Sequence, residues 1–265
     1  MKTVDAIDHF LLSRKAKGLS PRTIDWYRGI LGDFPIRFPR LPKSPEVIER
    51  YLASLNVGDE RRHGYYRALR CFFRFLARRY GAKNPVELVE PPKRKKKQPR
   101  ILSPAEVNQL LDIATGYIKA AILFMIDTGA RLGEYKNLTI NDLHEVPDGF
   151  TCTITGKTGE RIVPISYQTY HALMVTPRWQ HSLWWLSREV SRAFKEAGMQ
   201  GSALTLRHTF ATLWQGEELV LQQIMGHSRL ETTRMYRQLR TSLLLQQHNI
   251  YSPLKMVLGS SKSML

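Results

Sequence analysis

A tyrosine hydroxyl titrates near pH 10, so at neutral pH it is a poor nucleophile unless cations or a base surround it. Toward the C-terminus, Ile224-Met225-Gly226-His227 is followed by Tyr236, with Glu231 the one acid between the histidine and the tyrosine. Three cations upstream are candidates to surround that phenol. Arg131 stands in Thr128-Gly129-Ala130-Arg131-Leu132-Gly133-Glu134, Lys157 in Gly156-Lys157-Thr158-Gly159, and Arg207 in Leu204-Thr205-Leu206-Arg207-His208. Each piece alone has a plainer reading: Arg131 with Glu134 as a surface ion pair, Lys157 as a solvated turn, the His-Tyr pair as packing.

The elements that must position these residues fall into two halves. Of 265 residues, 1–100 carry 24 Lys and Arg against 10 Asp and Glu, whereas 101–265 carry 16 against 13. The formal charge of +17 therefore sits almost wholly in the first half, as expected of a clamp for an anionic partner joined to a working domain. Cys71 and Cys152 have apolar neighbours and no metal-ligand spacing, which suits packed thiols in a reducing compartment. No apolar run is long enough to span a bilayer and no leader pattern opens the chain, so the sequence predicts a cytoplasmic protein.

Helical periodicity fills the first half. Residues 4–17 put Val4, Ile7, Phe10, Leu11 and Leu12 on one face, and Ser20-Pro21 caps a second helix with Ile24, Tyr27, Ile30 and Leu31 inward. Prolines 35, 39 and 42 predict a loop, and Ser44-Pro45 restarts a helix. In residues 60–80, Tyr65, Leu69, Phe72, Phe73 and Leu76 form an aromatic face, while Arg67, Arg70, Arg74 and Arg78 make a basic stripe without alternating acids. That stripe favours phosphate contact over a merely solvated face. Lys93, Arg94, Lys95, Lys96 and Lys97 lie in a proline-bounded, self-repelling linker, readable as a nuclear localisation signal or, better for its position, as a strap along a phosphate backbone.

In the second half, Ser103-Pro104-Ala105-Glu106 is a capping box, and the apolar run from Tyr117 to Met125 must be buried, so Arg131 emerges from a rigid element. Period-two alternation over 150–165 predicts a β-hairpin with Lys157 at its tip. Helices are expected at 166–175 and 183–197, another opening at Arg207, a short one at 222–226, and Thr232-Thr233 capping the segment that holds Tyr236. The tail carries apolar patches at Leu243-Leu244-Leu245 and Leu254.

Together, in this order and spacing, these motifs resemble the tyrosine recombinases, the family of phage integrases and Xer recombinases, over essentially the whole chain. Gly18-Leu19-Ser20-Pro21-Arg22-Thr23 with Tyr27 is similar to a common opening of that family's DNA-clamping domain. The resemblance implies a mainly α fold: an all-helical core-binding domain (1–91), a basic linker (92–100) and a mostly helical catalytic domain with a small β-hairpin or sheet (101–265), the DNA breaking-rejoining fold. Its tail from about 239 either packs on its own domain or is exchanged between protomers.

The implied reaction is attack of Tyr236 on a DNA phosphodiester, giving a 3′-phosphotyrosyl intermediate without metal, ATP or other cofactor. In that reading Arg131 and Arg207 hold the phosphate oxygens, Lys157 is the general acid, His227 supports the phosphate and the phenol, Glu134 orients Arg131, and His208 is structural. Implied partners are double-stranded DNA bearing an inverted-repeat site, further copies of the chain as a tetramer on synapsed DNA, and an accessory DNA-bending protein; the source is prokaryotic, phage or another mobile element. One position departs from the pattern: the family usually has histidine three residues before the second arginine, and here Leu204 stands there. A slower enzyme and a DNA-binding relic are the alternatives it opens; a type IB topoisomerase-like enzyme, which shares the chemistry, is a third.

Overall fold

In the computed structural model, residues 1–94, 98–156, 159–176, 181–226 and 241–254 are described, those at 241–243 by their backbone alone. Lys95, Lys96, Lys97, Lys157, His227 and Tyr236, with the expected cap at Thr232-Thr233, lie outside them. The chain separates into two units, Met1–Lys97 and Gln98–Leu265.

The first unit is helical: α1 (Thr3–Ala16), α2 (Pro21–Leu31), α3 (Phe34–Arg37), α4 (Pro45–Ser54) and α5 (Asp59–Tyr80). Ser20 caps α2 by accepting the Thr23 N–H, with Pro21 in the first turn where its missing donor costs nothing. Phe10, Phe34, Phe72 and Phe73 fill the core, with Phe10 meeting the Phe72 ring edge-on at 5.5 Å. Two expectations fail here. Val4 and Leu12 are exposed, because the stripe that α1 buries is Thr3, Ala6, Ile7 and Phe10 at intervals of three and four. The proline-rich loop contains one helical turn, α3, since Pro35 falls in its first turn and buried Phe34 anchors it.

The second unit surrounds α7 (Gly116–Thr128), which is buried from Ala120 to Thr128. Ser103 and Glu106 form the expected reciprocal cap of α6 (Pro104–Ile113). After α8 (Leu132–Asn137), three antiparallel strands follow in order: β1 (Leu143–Val146), β2 (Gly149–Gly156) and β3 (Gly159–Ile165), with Cys152 opposite Val163 and Gly156 opposite Gly159. The β2–β3 hairpin is the one that alternation predicts, whereas β1 is an addition to it. Helices α9 (Tyr167–Val175), α10 (Leu183–Glu196), α11 (Ala203–Leu213), α12 (Glu218–Met225) and α13 (Thr241–Tyr251) complete the unit. Arg207 was expected to open its helix, but Ser202 is the cap and Arg207 lies one turn inside. No described helix is long and apolar enough to cross a membrane.

Helix α13 packs against β3 and α12. Its anchor is Asp127, fully buried at the end of α7. The Asp127 carboxylate accepts bonds from the Ser166 N–H at 2.7 Å and the Ser252 hydroxyl at 2.8 Å, and pairs with His248 Nε2 at 3.0 Å. Burial pushes this carboxyl up, but His248 and the two donors outweigh it and hold it below the ordinary carboxylate range. Leu244, Leu245 and Leu254 are buried alongside. The described part of the tail thus packs on its own unit; residues 255–265 lie outside the described residues.

Candidate active site

Helix α7 stops at Gly129, which adopts a left-handed φ of +62°. A side chain there would also strike the Phe210 ring, since an added Cβ would lie 2.4 Å from its Cδ1. Thr128 locks the next step by donating to the Phe124 carbonyl at 2.6 Å and accepting the Ala130 N–H at 3.1 Å. The chain therefore leaves a buried helix through a fixed turn and delivers Arg131 to the start of α8.

Glu134, one turn on, is 4% exposed and is the hub of the site. It accepts the Arg131 backbone N–H at 2.7 Å and one Arg131 side-chain donor at 3.2 Å. Arg161, on β3, grips the same carboxylate with both terminal guanidinium nitrogens, at 3.1 and 3.0 Å. Burial raises the Glu134 carboxyl, but the Arg161 hydrogen bonds and the Arg131 contacts prevail and leave it below its ordinary value.

Arg207 is buried on α11, its guanidinium spanning two segments. One nitrogen donates to the Gly129 carbonyl and the other to the Met225 carbonyl at 3.0 Å. It thereby ties the turn before Arg131 to the end of α12, two residues before His227. Burial, with repulsion from Arg131 and Arg161 only partly offset by Glu134, brings it down to about 10. That still leaves it charged at neutral pH.

Of the expected site residues, Arg131, Glu134 and Arg207 are brought together. Lys157, His227 and Tyr236 lie outside the described residues, yet the residues just before the first two are placed on this cluster. A Cβ at Gly156 would lie 2.5 Å from a Glu134 oxygen, and one at Gly226 would lie 3.0 Å from Arg161 Nε. Arg161 Nε also donates to the Ile224 carbonyl at 2.8 Å. Leu204 is 60% exposed on the first turn of α11, and His208, next to Arg207, is half-buried.

On α5, Arg67, Arg70, Arg74 and Arg78 are all exposed while Leu69, Phe72, Phe73 and Leu76 are buried, and none of the four arginines enters an ion pair among the described residues. Lys93 is exposed, and Arg94 reaches back to Glu60 at 3.4 Å.

Arg161 is the residue that sequence reasoning missed. It stood in the returning strand and in the Arg161-Ile162-Val163-Pro164 wording that resembles the family's, without a role of its own, and the available signal was a basic residue alternating with the apolar Val163 and Ile165. The Asp127–His248–Ser252 cluster was missed as well, because its members are 121 and 125 residues apart and no local pattern links them.

This geometry can be set against known proteins. The tyrosine recombinase XerD of Staphylococcus haemolyticus is 27% identical over 286 residues, covering 89% of this chain and 94% of the relative. In solved structures, the fold is similar to a lambda integrase (75–356) dimer bound to a COC′ core site, with a TM-score of 0.72 at 18% identity over 91% of this chain and 99% of that one. It is likewise similar to a lambda integrase tetramer bound to a Holliday junction, with a TM-score of 0.73 at 18% identity over 91% and 81%. A sequence profile described as the phage integrase family matches residues 100–242, which take in the turn before Arg131, the hairpin, α11 and the stretch reaching Tyr236. Since that match spans more than half of its length, the chain belongs to the phage integrase family of tyrosine recombinases.

Proposed function

We propose that the chain cleaves and rejoins DNA at specific sites through a 3′-phosphotyrosyl intermediate, with Tyr236 as nucleophile. The Tyr236 oxygen attacks the phosphorus, the bond to the 5′-oxygen breaks, and the phenolic proton leaves toward His227. Lys157 gives a proton to the departing 5′-oxygen, which ends as a free hydroxyl. Attack by a 5′-hydroxyl of a partner strand on the phosphotyrosine reverses the chemistry and restores the phenol. Because the phosphodiester energy is kept in the covalent intermediate, no nucleotide is consumed.

The observation that carries this reading is the Arg131–Arg207 pair held over one fixed turn. Arg131 is 46% exposed on its side chain, so a planar donor set remains open to an incoming phosphate, while Arg207 adds buried charge from behind. Preorganised donors of this kind are each worth on the order of 10²–10³ in rate. The exposed arginines of α5 and the cations of the linker supply sequence-independent phosphate contacts that position the duplex.

The partner DNA carries an inverted-repeat site, and the working assembly is a tetramer; the lambda integrase tetramer bound to a Holliday junction supports the tetramer by analogy. A DNA-bending accessory protein completes the partners we propose. Lys157 and His227 take their roles on motif position and on the placement of the glycines that precede them.

A duplex nicked near the cleavage point, so that the released strand diffuses away, tests the proposal. The unaltered chain should accumulate a covalent protein–DNA complex that Tyr236→Phe abolishes. A chain that binds its site and never forms the complex would instead be a DNA-binding relic of the family.

A further inference from the structure

Glu134 has two arginines and one carboxylate, and they are shared unequally. Arg161 takes both oxygens in a forked pair, is 10% exposed, and adds the 2.8 Å bond to the Ile224 carbonyl. Arg131 is left with a single side-chain bond at 3.2 Å and stays 46% exposed. A buried carboxylate draws any cation within reach, because an unpaired charge there is strongly unfavourable. Among the described side chains, these two guanidiniums are the ones bonded to it. If Arg161 were absent, Arg131 could satisfy Glu134 only by turning inward and giving up the donors that face outward.

We infer that Arg161 is a positioning residue for strand cleavage: by neutralising Glu134 itself, it keeps the Arg131 guanidinium free for the scissile phosphate. It also aligns two other motifs. Arg161 stands on the strand that returns from Lys157, and its bond to the Ile224 carbonyl ties that strand to the end of α12, ahead of His227 in the sequence. A lysine would supply the charge without the fork, so it would satisfy one oxygen and leave the other to Arg131.

This role rests on the recombinase reading, and the experiment separates the two. Single-turnover cleavage is measured on a nicked duplex built from the sequence the chain selects out of random DNA, alongside binding to the same duplex without the nick. Arg161→Gln should slow cleavage on the order of 10²-fold while changing binding by less than about threefold, since Arg161 faces inward. The discriminating variant is Arg161→Gln with Glu134→Gln. With the carboxylate's charge gone Arg131 is no longer captured, so the double variant should cleave at least about fivefold faster than Arg161→Gln, an effect of roughly 1 kcal/mol.

Loss of packing alone would make the double variant no faster than the single, and that result would overturn the role. So would an Arg161→Gln rate within threefold of the unaltered chain. Should Arg161→Gln fail to fold, Arg161→Lys with and without Glu134→Gln carries the same comparison, and the same two results would overturn the role. Absence of any covalent complex from the unaltered chain would overturn the recombinase reading itself, and this role with it.

Discussion

Arg207 keeps its charge where burial works against it, and the two carbonyls it holds explain how. The bonds to Gly129 and Met225 replace lost hydration, and even at about 10 the guanidinium stays protonated at neutral pH. Leu204 is its opposite: an apolar side chain, 60% exposed, at the position where the family usually has histidine, three residues before that arginine and on the same face of α11. Because the site is open, Leu204→His leaves no cavity and should change stability by less than about 0.5 kcal/mol. One new hydrogen bond to the phosphate, worth about 1 kcal/mol, would speed cleavage roughly fivefold. Single-turnover rates of the two proteins check this. A marked slowing would mean that the neighbouring side chains have arranged themselves around leucine.

At the scale of elements, α7 is the organiser. Its C-terminal end leads through the fixed Thr128–Ala130 turn to Arg131 and carries Asp127, so the same helix fixes that turn and anchors α13. Asp127→Ala would take the carboxylate acceptor from the Ser166 N–H and the Ser252 hydroxyl and the opposite charge from His248, whose Nε2 keeps its 2.8 Å bond to the residue-127 carbonyl, a loss of about 3 kcal/mol at neutral pH. The sign follows from the carboxyl's depressed value: its contribution is present above the ordinary carboxylate range and is lost as pH falls through the folded-state value. Urea unfolding should therefore show the unaltered chain and the variant far apart at pH 7 and converging below about pH 4. A gap that stays constant with pH would show that Asp127 contributes packing and not charge.

The same elements show what a sequence can disclose. The reciprocal cap at Ser103 and Glu106, the largely apolar run from Tyr117 to Met125 in α7 and the β2–β3 hairpin are local patterns, and they were legible. Strand β1 was not, because four residues with two of them charged or polar, Leu143-His144-Glu145-Val146, carry too little alternation to stand out. In the site, Arg131 and Arg207 could be named from motif spacing, whereas Arg161 depends on a partner 27 residues away and on a carbonyl 63 residues away. A side chain's long-range partner leaves no trace in periodicity.

For the whole molecule, the asymmetry of charge is the governing fact: +14 of +17 lies in residues 1–100. Arg94 already pairs with Glu60, but that pair is solvent-exposed and worth little, so it competes weakly with a phosphate. Replacing Lys93, Arg94, Lys95, Lys96 and Lys97 by glutamine should flatten the negative slope of log affinity against log salt by about 0.9 for each phosphate contact removed. Binding isotherms at several salt concentrations measure it, and an unchanged slope would place the linker off the DNA. The chemistry proposed for the molecule stands on one covalent bond. Trapped protein–DNA complex, digested with trypsin and a nuclease and sequenced by mass spectrometry, should carry its residual nucleotide on Tyr236 through a 3′-phosphate. Attachment at any other residue, or through a 5′-phosphate, would contradict it.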